Sequence, residues 1–271
     1  MTFRIGFAAD HPEENFTEAT YSAPEQTAAP RKSVVQVHFP TRNTTLAYYN
    51  DRFDLSVGDM VYVDGRMEGI LGHIVEVNYN FKIKLSEYKC VISVVDTTVH
   101  GRFFMAGSHF VTFDPEALPV SKIKTWYMAP LKNDDEYASG RDDTTFRLDD
   151  KQGMKVSPAI AERGREYYVR NRVKYISIAG MRGYAIVVGT VPYEVEFEYN
   201  DGEISGLTCT CFCSYNCKHE FAAMLQLRET LESIEKNYAA EFKRTDCFSA
   251  VDKETLFAFA IDSKNTGSLQ L

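Results

Sequence analysis

From residue 33 onward, apolar and polar side chains alternate in short runs that predict strands rather than helices. In VVQVHF (34–39), Val35, Val37 and Phe39 fall on one side and the polar positions on the other. TLAYY and DMVYV follow, then a turn signal at Asp64-Gly65, and the chain resumes as GILGHIVEVNYNFKIKL, YKCVISVV, GRFFMA and HFVTF. β-Branched and aromatic runs of this length, punctuated by Gly, Asp and Asn, predict a small antiparallel barrel or sandwich over 33–113. Residues 1–32 lack periodicity and are expected to be a flexible lead-in.

The pattern changes after residue 113. The stretch 114–157 contains LKNDDEYASGRDDTTFRLDDKQG, where acids and turn-formers dominate, and reads as an acidic linker. Pro158, with Ser157 as a cap, then opens a helix through AIAERGREYYVRNR. Gly164 weakens that helix by about 1 kcal/mol relative to Ala. VKYISIAGMRGYAIVVG predicts a hairpin with its turn between Gly180 and Gly183. YEVEFEY (193–199) alternates strictly, so Tyr193, Val195, Phe197 and Tyr199 share a face opposite three glutamates. Asn200-Asp201-Gly202 turns into EISGLT, which leads to a cysteine-rich string, and HEFAAMLQLRETLESIEKNYAAEF beyond it has helical periodicity.

Composition narrows the class. Over 271 residues, 44% hydrophobic and 13% aromatic content exclude wholesale disorder. The net charge of −8 excludes a polybasic protein, so nucleic-acid contact would need a local patch. Residues 1–150 carry 15 basic and 22 acidic side chains, against 15 and 16 in the remainder, which places nearly all the excess acid before the second half. The longest apolar runs, such as Cys90 to Val95, fall far short of the roughly 20 residues that span a bilayer. The N-terminus has acids where a signal peptide would be basic, so the cytoplasm is the expected location. Neither a P-loop, GxSxG, HExxH nor dinucleotide glycine pattern occurs, and no small-molecule substrate is implied.

Cysteine placement carries the chemistry. Cys90 and Cys247 stand alone, whereas Cys209, Cys211, Cys213 and Cys217 crowd together beside His219 in LTCTCFCSYNCKHEFAAML. Buried small hydrophobes or a redox thiol pair would be the bland alternatives. In a reducing compartment, thiols this dense beside a histidine point to a metal. Cys209 and Cys211, two apart on an extended strand end, face the same way. Cys217 and His219 sit where the next helix begins. Four such donors make a tetrahedral zinc site without an open position, which is structural rather than catalytic. Cys213 is an alternative ligand, through a rival set of Cys211, Cys213, Cys217 and His219.

Cys-x-Cys, a short gap and Cys-x-His before an amphipathic helix resemble the SWIM zinc finger. The likeness extends upstream through the ERGREYY helix, the hairpin and the strand ending in the DGE turn, covering about 158–230. It is similar to the bacterial members of that family. The resemblance implies one Zn2+ per chain at Cys209, Cys211, Cys217 and His219, and a role in binding DNA or protein. The extra thiol, Cys213, departs from the family pattern. Near the first helix, Arg163, Arg165, Arg170, Arg172 and Lys174 interleave with Tyr167 and Tyr168 and are candidate phosphate contacts. Glu162 and Glu166 partly neutralise them, as on an ordinary solvated face. His38, His73, His100 and His109 are single histidines and read as packing or surface positions. The acids Asp134, Asp135, Glu136, Asp142 and Asp143 read as a solvated loop.

The strand-turn-strand LSVGDMVYVDGRMEGILGHIVEV resembles SH3-like barrels. The expected molecule is therefore α+β: a small antiparallel, SH3-like N-terminal β-barrel at 33–113, the linker 114–157, a zinc-stabilised ββ(β)α SWIM module at 158–235 and a helical C-terminal extension over 236–271. The expected function is non-enzymatic nucleic-acid binding through the zinc module. A protein-interaction adaptor that docks through the same module and the barrel is the alternative.

Overall fold

The computed structural model describes residues 29–130, 140, 144–150, 153–211, 213 and 216–261. The lead-in before 29, the acids Asp134, Asp135, Glu136, Asp142 and Asp143, and the extension after 261 lie outside the described residues. Alternation turns into strands where it was strongest. β1 (Ser33–Phe39), β2 (Thr44–Asn50), β3 (Met60–Val63), β4 (Gly72–Asn78) and β5 (Val91–Val94) form a five-stranded antiparallel sheet in the order β2-β1-β4-β3-β5. In β1 every second residue is buried, which sets Val35, Val37 and Phe39 against Tyr48, Val61, Val63, Ile74 and Val91. The sheet curls until the Tyr49 N–H donates to the Lys89 carbonyl at 2.8 Å. That lone bridge leaves the sheet open, so the expected barrel is not closed.

The second sheet is antiparallel and has eight strands. They are β6 (Phe104–Ala106), β7 (His109–Thr112), β8 (Phe146–Arg147), β9 (Val173–Ala179), β10 (Arg182–Val188), β11 (Pro192–Asn200), β12 (Glu203–Cys209) and β13 (Cys247–Asp252). Their order is β6-β7-β13-β9-β10-β11-β12-β8. GRFFMA and HFVTF, read from sequence alongside the strands before them, thus pair in this sheet instead. The C-terminal part is not only helical: all six residues of β13 are buried, and it lies between β7 and β9. A strand with both faces covered shows no alternation, which hides it from a period-two reading.

Helices cover the sheet. α1 (Val120–Tyr127) lies inside the stretch read as a linker and buries Ile123 and Trp126, the Trp126 indole N–H donating to the Asp96 carbonyl at 2.8 Å. α2 (Pro158–Val169) starts on the Ser157 cap, whose hydroxyl accepts from the Ile160 N–H. It packs against α3 (Lys218–Asn237). Gly164 is where they meet: a Cβ there would stand 2.8 Å from Phe221 Cδ1 and 3.0 Å from the Lys218 carbonyl oxygen. The glycine that lowers helix propensity is what lets the two helices approach. α4 (Ala239–Thr245) and α5 (Lys253–Leu256) flank β13. One buried cluster joins the sheets, with Met60, Tyr62 and Val95 packed into a set that includes Trp126, Tyr175, Ile186 and Val251. No described helix is long and apolar enough to cross a membrane.

Candidate metal centre

Two local features bring the donors together. β12 runs antiparallel to β11, with Cys209 opposite Val195, so the first cysteine emerges at a strand end already fixed by its neighbour. The pairing is prolonged past Cys209, because the Thr210 N–H donates to the Glu194 carbonyl and the Glu194 N–H to the Thr210 hydroxyl, both at 3.0 Å. At the other side, Cys217 is the N-cap of α3. Its sulfur accepts from the Glu220 N–H at 3.4 Å, and the Glu220 carboxylate accepts from the Cys217 N–H at 2.7 Å. This is a capping box in which a thiol takes the place of the usual hydroxyl. His219 follows one turn-step later, buried in the first turn of the helix.

The ligand atoms of Cys209, Cys211, Cys217 and His219 all lie within 4.8 Å of one another. His219 turns Nδ1 toward the sulfurs, 3.8 Å from Cys209 Sγ and 3.7 Å from Cys217 Sγ. A tetrahedral zinc with sulfur at about 2.3 Å and nitrogen at 2.0–2.1 Å would separate those atoms by about 3.6 Å. The donor set and its spacing therefore fit a metal ion, and zinc in particular suits three thiolates and an imidazole. Cys213 is exposed and does not join the group among the described residues. All six cysteines are free thiols.

Protonation follows from this crowding. The Cys217 thiol is drawn down to about 4, first by the hydrogen bond from Cys209, with His219 and the Glu220 N–H adding to it against the cost of burial. Cys209 moves the opposite way, because it keeps its proton as donor to Cys217 and is buried besides. Cys211 is pushed up to about 12 by burial and by the negative charge on Cys217. The thiolate form is thus favoured at Cys217, chiefly by the Cys209 hydrogen bond, and the other two thiols would lose protons to a cation. The four donors are divided between a strand end and a helix start, so an ion held by them joins β12 to α3.

Around the imidazole the usual arrangement is altered. A ligating histidine ordinarily gives its second nitrogen to an acceptor. Here Nε2 of His219 is buried and has no hydrogen-bond partner among the described residues. The ring is held by aromatic contact instead: Tyr193 stacks on it at 4.1 Å with planes 19° apart, and Tyr167 meets it edge-on at 5.4 Å. Lys218 places its ammonium 4.7 Å from the Tyr167 ring centre. Neither tyrosine was singled out for this role from sequence. The signal was present, because strict alternation in β11 puts Tyr193 on the same face as Val195 and Phe197.

The cations of α2 and its exit differ in their surroundings. Arg163, Arg165, Arg170 and Arg172 are exposed. Arg170 pairs with Glu166 at 2.8 Å. Lys174 is turned to Asp252, which is fully buried, at 2.9 Å, and lies 3.6 Å from Glu254. Asn171 also hydrogen-bonds Asp252, so this end of β9 is tied to β13. Of the single histidines, His109 is wholly buried; the other three are at most half-buried.

Comparison with known proteins adds one relative. A protein of Methanocaldococcus jannaschii, described as uncharacterized protein MJ1493, is 42% identical over 69 residues, which are 26% of this chain and 29% of that protein. The chain thus spans well under a third of that relative's length. No family model matches the chain. No solved structure matches it.

Proposed function

We propose that the chain is a non-enzymatic, cytoplasmic zinc-binding protein with a SWIM-type module that engages nucleic acid. The observation that carries the reading is the convergence of Cys209, Cys211, Cys217 and His219 within 4.8 Å. Four protein donors fill a tetrahedron and leave no position for a substrate, which favours a structural ion over a catalytic one. The hairpin of β9 and β10, the strands β11 and β12 and the helix α3, in that chain order around the cysteines, support the reading. Arg163, Arg165 and Arg172 support the nucleic-acid partner, because each is exposed and forms no ion pair with a described residue. Arg163 and Arg165 ride on α2, which packs against the helix that Cys217 caps and His219 opens, and Arg172 lies just past the end of α2. An ion at the site would therefore hold the cationic helix in place.

The adaptor reading keeps one observation in its favour, the net charge of −8. Salt separates the two. Affinity for a short single- or double-stranded probe should fall steeply with salt, and reversal of two phosphate-contacting charges in Arg165→Glu/Arg172→Glu should flatten the log–log slope by about 2. Gel shift across a salt series measures both. No retardation of either probe at low salt would remove nucleic acid and leave the adaptor.

A further inference from the structure

The five-stranded sheet carries a concave feature lined by none of the clustered cysteines. A cavity of about 490 Å³ opens where the turn from β1 to β2 meets the connection from β3 to β4. It is lined by Arg42 of that turn, by Thr44 and Leu46 of β2, and by Arg66, Met67 and Ile70 from the second connection. Its chemistry is divided. Arg42 and Arg66 are exposed at the rim, whereas Met67 is buried and Leu46 and Ile70 are half-buried members of the sheet's own core. Neither arginine forms an ion pair with a described residue. Of the neighbouring acids, Asp64 is taken up by the Cys90 N–H, and Glu68 is exposed and does not line the cavity. A third cation lies close by, since the Lys89 stem runs along Gly65, where a Cβ would be 2.9 Å from Lys89 Cγ.

Two guanidinium groups from separate turns offer two forked donors and two charges, which suit a phosphate dianion better than a single carboxylate. The volume falls within the range of small-ligand sites, roughly 300–1,000 Å³. Inorganic phosphate alone would leave Leu46, Met67 and Ile70 uncovered. An occupant that uses both halves has an anionic phosphate and a flat, largely apolar body. We propose that this cavity binds a nucleotide unit, its phosphate held by Arg42 and Arg66 and its ring laid over Leu46, Met67 and Ile70. The unit can come from a free nucleotide or from a single strand. The site does not depend on the zinc module's partner.

Titration calorimetry on the full chain tests this with adenosine monophosphate, adenosine, inorganic phosphate and an oligothymidylate as probes. Adenosine monophosphate should bind at least tenfold more tightly than adenosine or phosphate. Arg42→Gln/Arg66→Gln should lose roughly tenfold or more of that affinity, with an unchanged urea midpoint because both side chains are exposed. Arg165→Glu/Arg172→Glu should leave mononucleotide binding unchanged. Binding of the oligothymidylate with no response to the mononucleotide, lost in Arg42→Gln/Arg66→Gln, would also support the site and assign its source to a strand. The proposal is overturned if neither probe binds at millimolar concentration. It is equally overturned if Arg42→Gln/Arg66→Gln binds as the parent does, or if the Arg165 and Arg172 reversals abolish mononucleotide binding.

Discussion

Cys217 performs two tasks with one sulfur, capping α3 and facing Cys209 and His219, and this economy places the candidate centre at a helix N-terminus. His109 shows the opposite use of a histidine. It is completely buried in β7, donates from Nε2 to the Val173 carbonyl at 2.9 Å and accepts at Nδ1 from the Ser108 hydroxyl at 2.9 Å. Burial holds it neutral and lowers its pKa from 6.5 to about 4, with the Val173 carbonyl and Asp252 opposing the shift. The sign of the stability effect follows. An unfolded chain takes up the proton near 6.5 while the folded one does not until about 4, so stability is full above 6.5 and falls between those limits. The loss from this group approaches about 3 kcal/mol by pH 4. Urea unfolding of the parent and of His109→Gln at pH 7 and pH 4.5 checks it: the parent should lose more than the variant. Equal losses would place the acid sensitivity elsewhere, for instance at the thiols.

At the level of elements, the contact of α2 with α3 turns on Gly164. Propensity alone predicts that Gly164→Ala gains about 1 kcal/mol of helix stability. The 2.8 Å approach to Phe221 predicts the reverse, because overpacking of a close contact costs about 1–3 kcal/mol. A lowered urea midpoint for Gly164→Ala is the expected result, and a raised one would show that the helices can move apart. This residue also illustrates what could be read from sequence. The alternation of 34–39 and 193–199, the hairpin between Gly180 and Gly183 and the start of α2 at Pro158 all became elements, since each is written in a local pattern: alternation in the first two, a glycine turn between adjacent strands in the third and a capped first turn in the last. Non-local pairing was not legible. β13 is recognised only by partners more than sixty residues earlier, and α1 is too short for its periodicity to stand out from an acidic stretch. Lys174 looked like part of a basic patch because its partner Asp252 is distant in sequence.

Across the whole molecule, the cysteine cluster is one end of a continuous structure. β12 pairs through β11, β10 and β9 to the buried β13, and a shared core then reaches Met60 and Tyr62 of the five-stranded sheet. That sheet also keeps a cluster of its own, from Val35 to Val91. A structural ion contributes about 10–16 kcal/mol of apparent binding free energy at pH 7, comparable with the net stability of a domain. Its loss should therefore be felt first where β12 meets α3. A metal site was legible in the sequence because four thiols and a histidine fall within eleven residues; the grouping of Cys209, Cys211 and Cys217 about His219, with Cys213 apart, is a matter of geometry that spacing left open. Metal analysis of the purified full chain and its single variants tests this account most directly. One zinc per chain is predicted, retained in Cys213→Ser and lost in Cys209→Ser and Cys217→Ser. Loss of zinc in Cys213→Ser with retention in Cys209→Ser would contradict it.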